Sequence, residues 1–397
     1  MRLSERVCQI VPSATLEISS RVAELKGKGA DIISFSVGEP DFNTPQKIID
    51  ACTDAMNKGL TKYTQITGIL PLRSAICDKL ERDNNVRYSP DEIVVSTGAK
   101  QAIYNAILAL VNPGDEVIVP KPCWVSYVEM IKLAGGKPVL VENLESDKFL
   151  LNVSAIRAAV TDRTRAILVN SPNNPTGAVY TEESLRELAD IAVENDIFVI
   201  SDEVYEKLVY GDTKHFCIAS VSEEMRRHSV IVNGLSKACS MTGWRMGYSA
   251  APREISKAIS SIQGHTTSNS TSFVQYASIV ALTKCGDEIE KMRQEFAKRR
   301  EILLEALRGI NGITCADADG AFYLMPNVSS FYGKSAGGVT IKDSADLCKY
   351  LLDEAHVAVV PGSAFMSPAN VRISYSNSVQ NIEKGIAQIK DALENLK

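Results

Sequence analysis

The sequence predicts an α/β protein, with a large domain whose mainly parallel sheet is sandwiched by helices and a smaller α+β domain beside it. Three observations carry this. Short apolar, β-branched runs alternate with segments of helical periodicity. Several of those runs are nearly all apolar, as parallel strands covered on both faces are. From about Gly286 the texture changes to a long charged amphipathic stretch followed by short elements. The 397 residues leave room for two or three domains at about 150 residues each.

In chain order, strands are expected at 93–95, 116–119, 138–141, 166–169, 198–201 and 230–232. Helices are expected between them, including 100–111, 124–134 and 182–195. Beyond these come a charged helix over 287–307, a strand start and helix over 339–356, a short strand at 371–374 and a final helix over 379–396. Residues 45–289 are read as the large domain and 290–397 as the small one. Residues 1–44 are read as an N-terminal segment packing with the small domain. No internal repeat or low-complexity linker interrupts the chain.

Charge and cysteine usage narrow the function classes. Lys plus Arg is 43 against 48 Asp plus Glu, a net charge of -5. Nucleic-acid binding needs a basic excess or stripe, so no such partner is expected. The one basic run, Lys298-Arg299-Arg300, is flanked by Glu295 and Glu301 and reads as a solvated helix face. Nine cysteines are scattered without C-x-x-C spacing, and the four histidines form no H-E-x-x-H. Neither a disulfide framework nor a structural zinc site is expected. Free thiols fit a reducing cytoplasm. Met1 to Ser20 lacks the apolar core of a signal peptide, and no apolar run approaches the ~18 residues of a membrane span, so no membrane partner is expected.

The chemistry is expected where strands end. Polar clusters follow them: Ser96-Thr97-Gly98-Ala99-Lys100, Pro120-Lys121-Pro122-Cys123-Trp124, Asn170 to Gly177, Asp202-Glu203-Val204-Tyr205, and Asn233-Gly234-Leu235-Ser236-Lys237. In an open parallel sheet, ligands bind at the carboxyl ends of strands, so these clusters should converge on one crevice. Lys237 and Arg245 are the only charges in 230–252, among Met241, Trp244, Met246 and Tyr248. That setting suggests burial rather than a surface loop, and a buried lysine has a lowered pKa and a neutral amine able to form a Schiff base. Asp202 reads equally as a helix N-cap or turn residue or as a functional carboxylate. Bare N–H groups at Gly98-Ala99-Lys100 suit a phosphate, although a plain strand–helix turn looks similar.

Together the clusters resemble a specific family. Ser236 to Tyr248 (S-K-A-C-S-M-T-G-W-R-M-G-Y) resembles the cofactor-lysine signature of class I aminotransferases, pyridoxal 5'-phosphate enzymes of fold type I. Ser171 to Gly177, Ser201 to Tyr205, Gly38 to Phe42, Lys62-Tyr63-Thr64 and Val371 to Tyr375 match further blocks in order. The likeness runs from about residue 5 to the C-terminus and is nearest to the bacterial aspartate aminotransferase branch called I-gamma.

The resemblance implies roles. Lys237 would bond the cofactor and move the proton between substrate Cα and cofactor C4′. Asp202 would pair with the pyridine nitrogen, and Tyr205 and Asn174 with the phenolate oxygen. Trp124 would stack on the ring. Gly98, Ala99, Lys100, Ser236 and Arg245 would surround the phosphate, and Tyr63 would reach the phosphate of a partner in a homodimer. Arg372 would fork the substrate α-carboxylate, with the Gly38 N–H beside it; Trp124 and Asn174 would also meet substrate. Lys100 and Thr15, the latter in Pro12-Ser13-Ala14-Thr15, would meet a side-chain carboxylate; alternatively Lys100 is a phosphate ligand or first-turn residue and Thr15 a helix cap. The implied substrates are aspartate or glutamate and 2-oxo acids, exchanged by a ping-pong mechanism, with prephenate as an addition.

The chain departs from the family at Cys123 and Cys239, where an aromatic is usual, and at Gly234, where some branches place a phosphate-binding Ser. A β-lyase on the same fold would share every cofactor residue. A nicotinamide dehydrogenase would need G-x-G-x-x-G, but Ile32 stands where the third glycine of the run from Gly27 belongs. Gly333-Lys334-Ser335 ends like a Walker loop, yet Val328 replaces its first glycine. A DNA-binding regulator on this fold would need a basic helix before Gly38, and none is present.

Overall fold

The computed structural model describes residues 3–12 and 14–397, with residues 5, 6 and 14–16 as backbone alone. A seven-stranded sheet organises the chain: β1 (Ile93–Thr97), β2 (Glu116–Lys121), β3 (Lys137–Glu142), β4 (Thr164–Asn170), β5 (Phe198–Asp202), β6 (Ser229–Gly234) and β7 (Met246–Ala250). Their spatial order is β1-β7-β6-β5-β4-β2-β3. The pairs among β2 to β6 are parallel, and β7 lies antiparallel between β1 and β6. This is the mainly parallel sheet expected, with β7 as an unforeseen member.

Alternation along the strands sends side chains to two cores. Val95, Ile167, Val199 and Ile231 enter one. Val94, Leu168, Ile200 and Val230 enter the other. Both faces are therefore covered, which is why these strands read as continuous apolar runs.

A third core gathers the C-terminal third of the chain. The helix Gly286–Arg308 contributes Phe296, Leu303 and Leu307, and Val379–Glu394 contributes Ile382 and Ile389. A small antiparallel sheet runs in the order β9-β10-β8, from β8 (Tyr323–Leu324), β9 (Val360–Pro361) and β10 (Val371–Ser374). The N-terminal segment joins here: Ile33–Ser34 pairs in parallel with Val357–Ala358, and Phe35 is buried in this core. So do Val204, Tyr205 and Leu208, which follow β5. The polypeptide leaving β5 thus ties the large sheet to the C-terminal core.

The solvated-face reading of Lys298-Arg299-Arg300 holds for Lys298, which is exposed, and is corrected for Arg299 and, in part, for half-buried Arg300. Arg299 is buried and bridges Asp41 at 2.7 Å and Glu295 at 3.0 Å, and Arg300 bonds Asp319. Arg299 leaves solvent where the N-terminal segment brings Asp41 against it. Among the described residues, no helix is long and apolar enough to cross a membrane.

Candidate active site

Strands β2, β4, β5 and β6 end together at one edge, and a cavity of about 590 Å³ opens there. Its walls include Gly38, Ala99, Lys100, Trp124, Asn174, Asp202, Tyr205, Ser236, Lys237, Arg245 and Arg372. Residues from Ser19 to Arg372 thus share one crevice, where the rule for parallel sheets puts it.

Asp202 is the last residue of β5 and is 4% exposed. Tyr127 Oη donates to its Oδ2 at 2.6 Å, and the Val204 N–H donates to Oδ1 at 3.2 Å. Burial nevertheless pushes the carboxyl up to about 6, since desolvation outweighs the two donors. No helix follows Asp202, so it is not an N-cap, but it does serve the turn at 204–207 through the Val204 N–H as well as facing the cavity. Asn170, its neighbour across the ladder, donates to the Asp202 carbonyl at 2.9 Å and accepts from the Asn174 N–H at 2.8 Å. One asparagine thus links the two loops.

Lys237 follows β6 and is partly buried. Its Nζ donates to the Gly38 carbonyl. Burial lowers its pKa to about 8, with Arg372 and Arg245 adding to the effect and Glu39 and Asp202 opposing it. The neutral amine is accessible near physiological pH. Met241 and Tyr248 beside it are buried as expected, whereas Arg245 is exposed to the cavity.

The segment from Gly98 forms a cradle for an anion. Gly98 adopts φ 86° and ψ 160°, and the helix Ala99–Leu110 begins directly after it. The first N–H groups of that helix lack intrahelical acceptors and carry the positive end of its dipole. Arg245 closes the cradle. Its Nη1 donates to the Thr242 carbonyl at 2.8 Å, and a Cβ on Gly98 would lie 2.4 Å from its Nη2. Ser236 lines the same end. A side chain at Gly234 would press on the Met246 carbonyl at 2.9 Å, which accounts for the glycine there.

Arg372, on β10, is 2% exposed. Its guanidinium donates to Asn174 Oδ1 at 3.0 Å and to the Ser36 carbonyl at 2.8 Å, while Nε is buried without a partner. It lies 4.5 Å from the ring centroid of Tyr323. Tyr323 Oη in turn pairs with Tyr205 Oη at 3.0 Å. Lys100 Nζ sits 4.7 Å from the Trp124 ring centroid, its pKa lowered by burial and by Arg245.

Tyr63 is expected at the site of a partner, and Thr15 at this one. Tyr63 is 91% exposed and is not part of this cavity wall. The Thr15 side chain lies outside the described residues, although Ser19, one turn further along Ala14–Gly27, lines the cavity. Cys123 and Cys239 are buried, and burial pushes both thiols up to about 12, leaving them unreactive.

The sequence reading missed Tyr127, Asn170 and Tyr323. Tyr127 stands three residues after Trp124, a helical spacing that places both on one face. Asn170 closes a strand as Asp202 does. Tyr323 carries no sequence signal beyond an apolar neighbourhood.

Behind the site, Glu203, Glu206 and His215 bring three ligand-type atoms within 4.8 Å of one another. Lys79 and Asn84 occupy that space, pairing with Glu206, and His215 meets Glu203 at 3.0 Å. Burial pushes Glu206 up, but Lys79, His215 and Lys207 together hold it at about 2. The cluster pins the loop carrying Tyr205 to the helix Leu70–Asn84.

Known proteins resemble this chain over its whole length. The profile of the family "Aminotransferase class I and II" matches residues 30–389. An aspartate aminotransferase of Bacillus subtilis is 46% identical over 99% of both chains. A probable aspartate/prephenate aminotransferase of Aquifex aeolicus is 45% identical over 99% of both. Among solved structures, the aspartate aminotransferase of Rhizobium meliloti superposes with a TM-score of 0.96 at 39% identity, over 100% of both chains. That of Thermus thermophilus with maleate gives 0.93 at 40%, covering 99% of this chain and 100% of the other. With full-length relatives at this identity and a profile match over most of its length, the chain belongs to the class I and II aminotransferase family.

Proposed function

We propose that this enzyme uses pyridoxal phosphate to move the amino group of aspartate or glutamate to 2-oxoglutarate or oxaloacetate. The observation that carries the reading is the meeting of Lys237, Asp202 and Arg372 in one cavity beside the anion cradle. The donor set fits the cofactor at each group. The Gly98–Lys100 amides, Arg245 and Ser236 suit its phosphate. Asp202 suits its ring nitrogen, Tyr205 and Asn174 its phenolate oxygen, and Trp124 its ring face. Tyr63, exposed on its loop, suits a phosphate across a homodimer interface.

When bound, the cofactor supplies an electron sink for the substrate Cα. The protein's part is positioning and proton transfer. Asp202, ionised above pH about 6, presents a negative charge that keeps the ring nitrogen protonated. Lys237 Nζ, neutral above pH about 8 and partly so below it, takes the Cα proton as general base and returns it as general acid. Arg372 holds the substrate α-carboxylate, and its unpartnered Nε–H is a buried donor of the kind such an anion satisfies.

A second carboxylate on the substrate needs a counter-charge, since burying it unpaired costs several kcal/mol. Lys100 at the cavity wall supplies one and supports the dicarboxylic range. The names of the relatives point the same way and make prephenate a further acceptor to try.

The test is an amino-donor screen against 2-oxoglutarate with the purified protein. Aspartate should yield oxaloacetate and glutamate. Release of ammonia without a new amino acid would show elimination instead.

A further inference from the structure

We propose that Tyr127 is a positioning residue of this site, holding the Asp202 carboxylate and the Trp124 indole in fixed relation. The inference rests on the cofactor reading above. Tyr127 lies on the helix Val125–Leu133, is 1% exposed and lines the inner wall of the cavity. Its hydroxyl donates to Asp202 Oδ2 at 2.6 Å. Its ring meets Trp124 edge to face, with centroids 5.3 Å apart. A single side chain therefore contacts both the group that would pair with the cofactor nitrogen and the plane on which the cofactor ring would rest.

The chemistry asks for such a residue. Asp202 must be ionised to hold a protonated ring nitrogen, yet burial opposes ionisation. Around the carboxyl, Tyr127, the Val204 N–H and the Lys237 ammonium favour the charged form, and Glu203 opposes it. Of these, Tyr127 is the only side chain in direct hydrogen bond with the carboxylate. Tyr127 itself is kept protonated by burial first, and then by its titratable neighbours Asp202, Cys123 and Tyr205. The hydroxyl thus stays a donor across the working pH range. Losing a hydrogen bond to a charged group is roughly equivalent to a rise of one to two pKa units in Asp202.

The experiment is the pH dependence of pyridoxal phosphate binding to the purified full-length chain freed of cofactor, wild type against Tyr127→Phe. Tryptophan fluorescence between pH 5.5 and 8.5 gives the affinity. Phe keeps the ring against Trp124 and removes only the hydroxyl. With a higher Asp202 pKa, binding must expel a proton from the carboxyl at pH values where wild type has none to expel. The variant should bind within about twofold of wild type at pH 8.5 and about three- to 25-fold more weakly at pH 6.5. A ratio that is constant over the range, whether one or larger, overturns the proposal and leaves Tyr127 as packing. Failure of the wild-type protein to bind the cofactor at any pH overturns the cofactor reading instead. If Tyr127→Phe does not fold, the wild-type cofactor-free protein labelled with ¹³Cζ-tyrosine decides. The Tyr127 resonance should move with a midpoint near pH 6, as Asp202 titrates. A resonance unchanged from pH 5 to 8 overturns the proposal.

Discussion

Replacing Gly98 with alanine tests the anion cradle with a single methyl group. At φ 86° and ψ 160° the backbone lies in a region that is essentially glycine-only, and an L-residue held there costs about 1–3 kcal/mol. The added Cβ would also lie 2.4 Å from Arg245 Nη2 and 2.9 Å from its Cζ. The guanidinium is the end of a flexible side chain, so it moves rather than blocking folding. Moving it removes one charged donor from the phosphate, worth about 1.5–3 kcal/mol. Cofactor affinity should fall about ten- to hundredfold in equilibrium dialysis. Gly114→Ala is the control: its φ is +91° but nothing lies within 4 Å of the new Cβ. That variant should lose stability in urea while keeping wild-type affinity. Wild-type affinity in Gly98→Ala would refute the placement of the phosphate.

Three further perturbations probe other groups. Burial raises Asp202 from 3.8 to about 6, so the folded cofactor-free protein holds that proton more tightly than the unfolded chain does. Its contribution is greatest at low pH and is lost as pH rises through 6. In urea melts, Asp202→Asn should therefore gain about 2 kcal/mol on wild type between pH 4 and pH 8, and a difference independent of pH would contradict this. Arg372→Lys keeps the charge and loses the fork, so KM should rise for every amino donor alike; a loss confined to one donor would assign Arg372 to a side-chain pocket. Lys100→Ala should lower kcat/KM for aspartate far more than for alanine, and an equal loss for both would return Lys100 to the phosphate.

The strands that could be read from sequence were those whose burial on both faces leaves a β-branched apolar run, as at Val230 to Val232. Strand β7 escaped because its residues are Met, Gly, Tyr, Ser and Ala. The structure supplies the reason: a Cβ on Gly247 would lie 2.2 Å from the Ala99 amide nitrogen, so close packing against the cradle selects small residues there. Lys237 stood out from the residues alone because it and Arg245 are the only charges in an otherwise apolar and small stretch, whereas the roles of Asp202 and Asn174 came from the resemblance. Tyr127 and Tyr323 were not legible, because a buried tyrosine in sequence is indistinguishable from core. Their hydroxyls gain meaning only when folding sets Tyr127 against Asp202 and Tyr323 against Tyr205. Arg299 shows the converse, a charge that looked solvated until Asp41 arrived from 258 residues away.

The account stands on Lys237 as the residue that bonds the cofactor. The direct measurement is to incubate the purified protein with pyridoxal phosphate, reduce it with borohydride and map the peptides by mass spectrometry. The account predicts one pyridoxyl-phosphate adduct per chain, on Lys237, with Lys237→Ala unlabelled yet folded. An adduct on Lys100 or any other lysine, or none at all in a protein that transaminates, would contradict it.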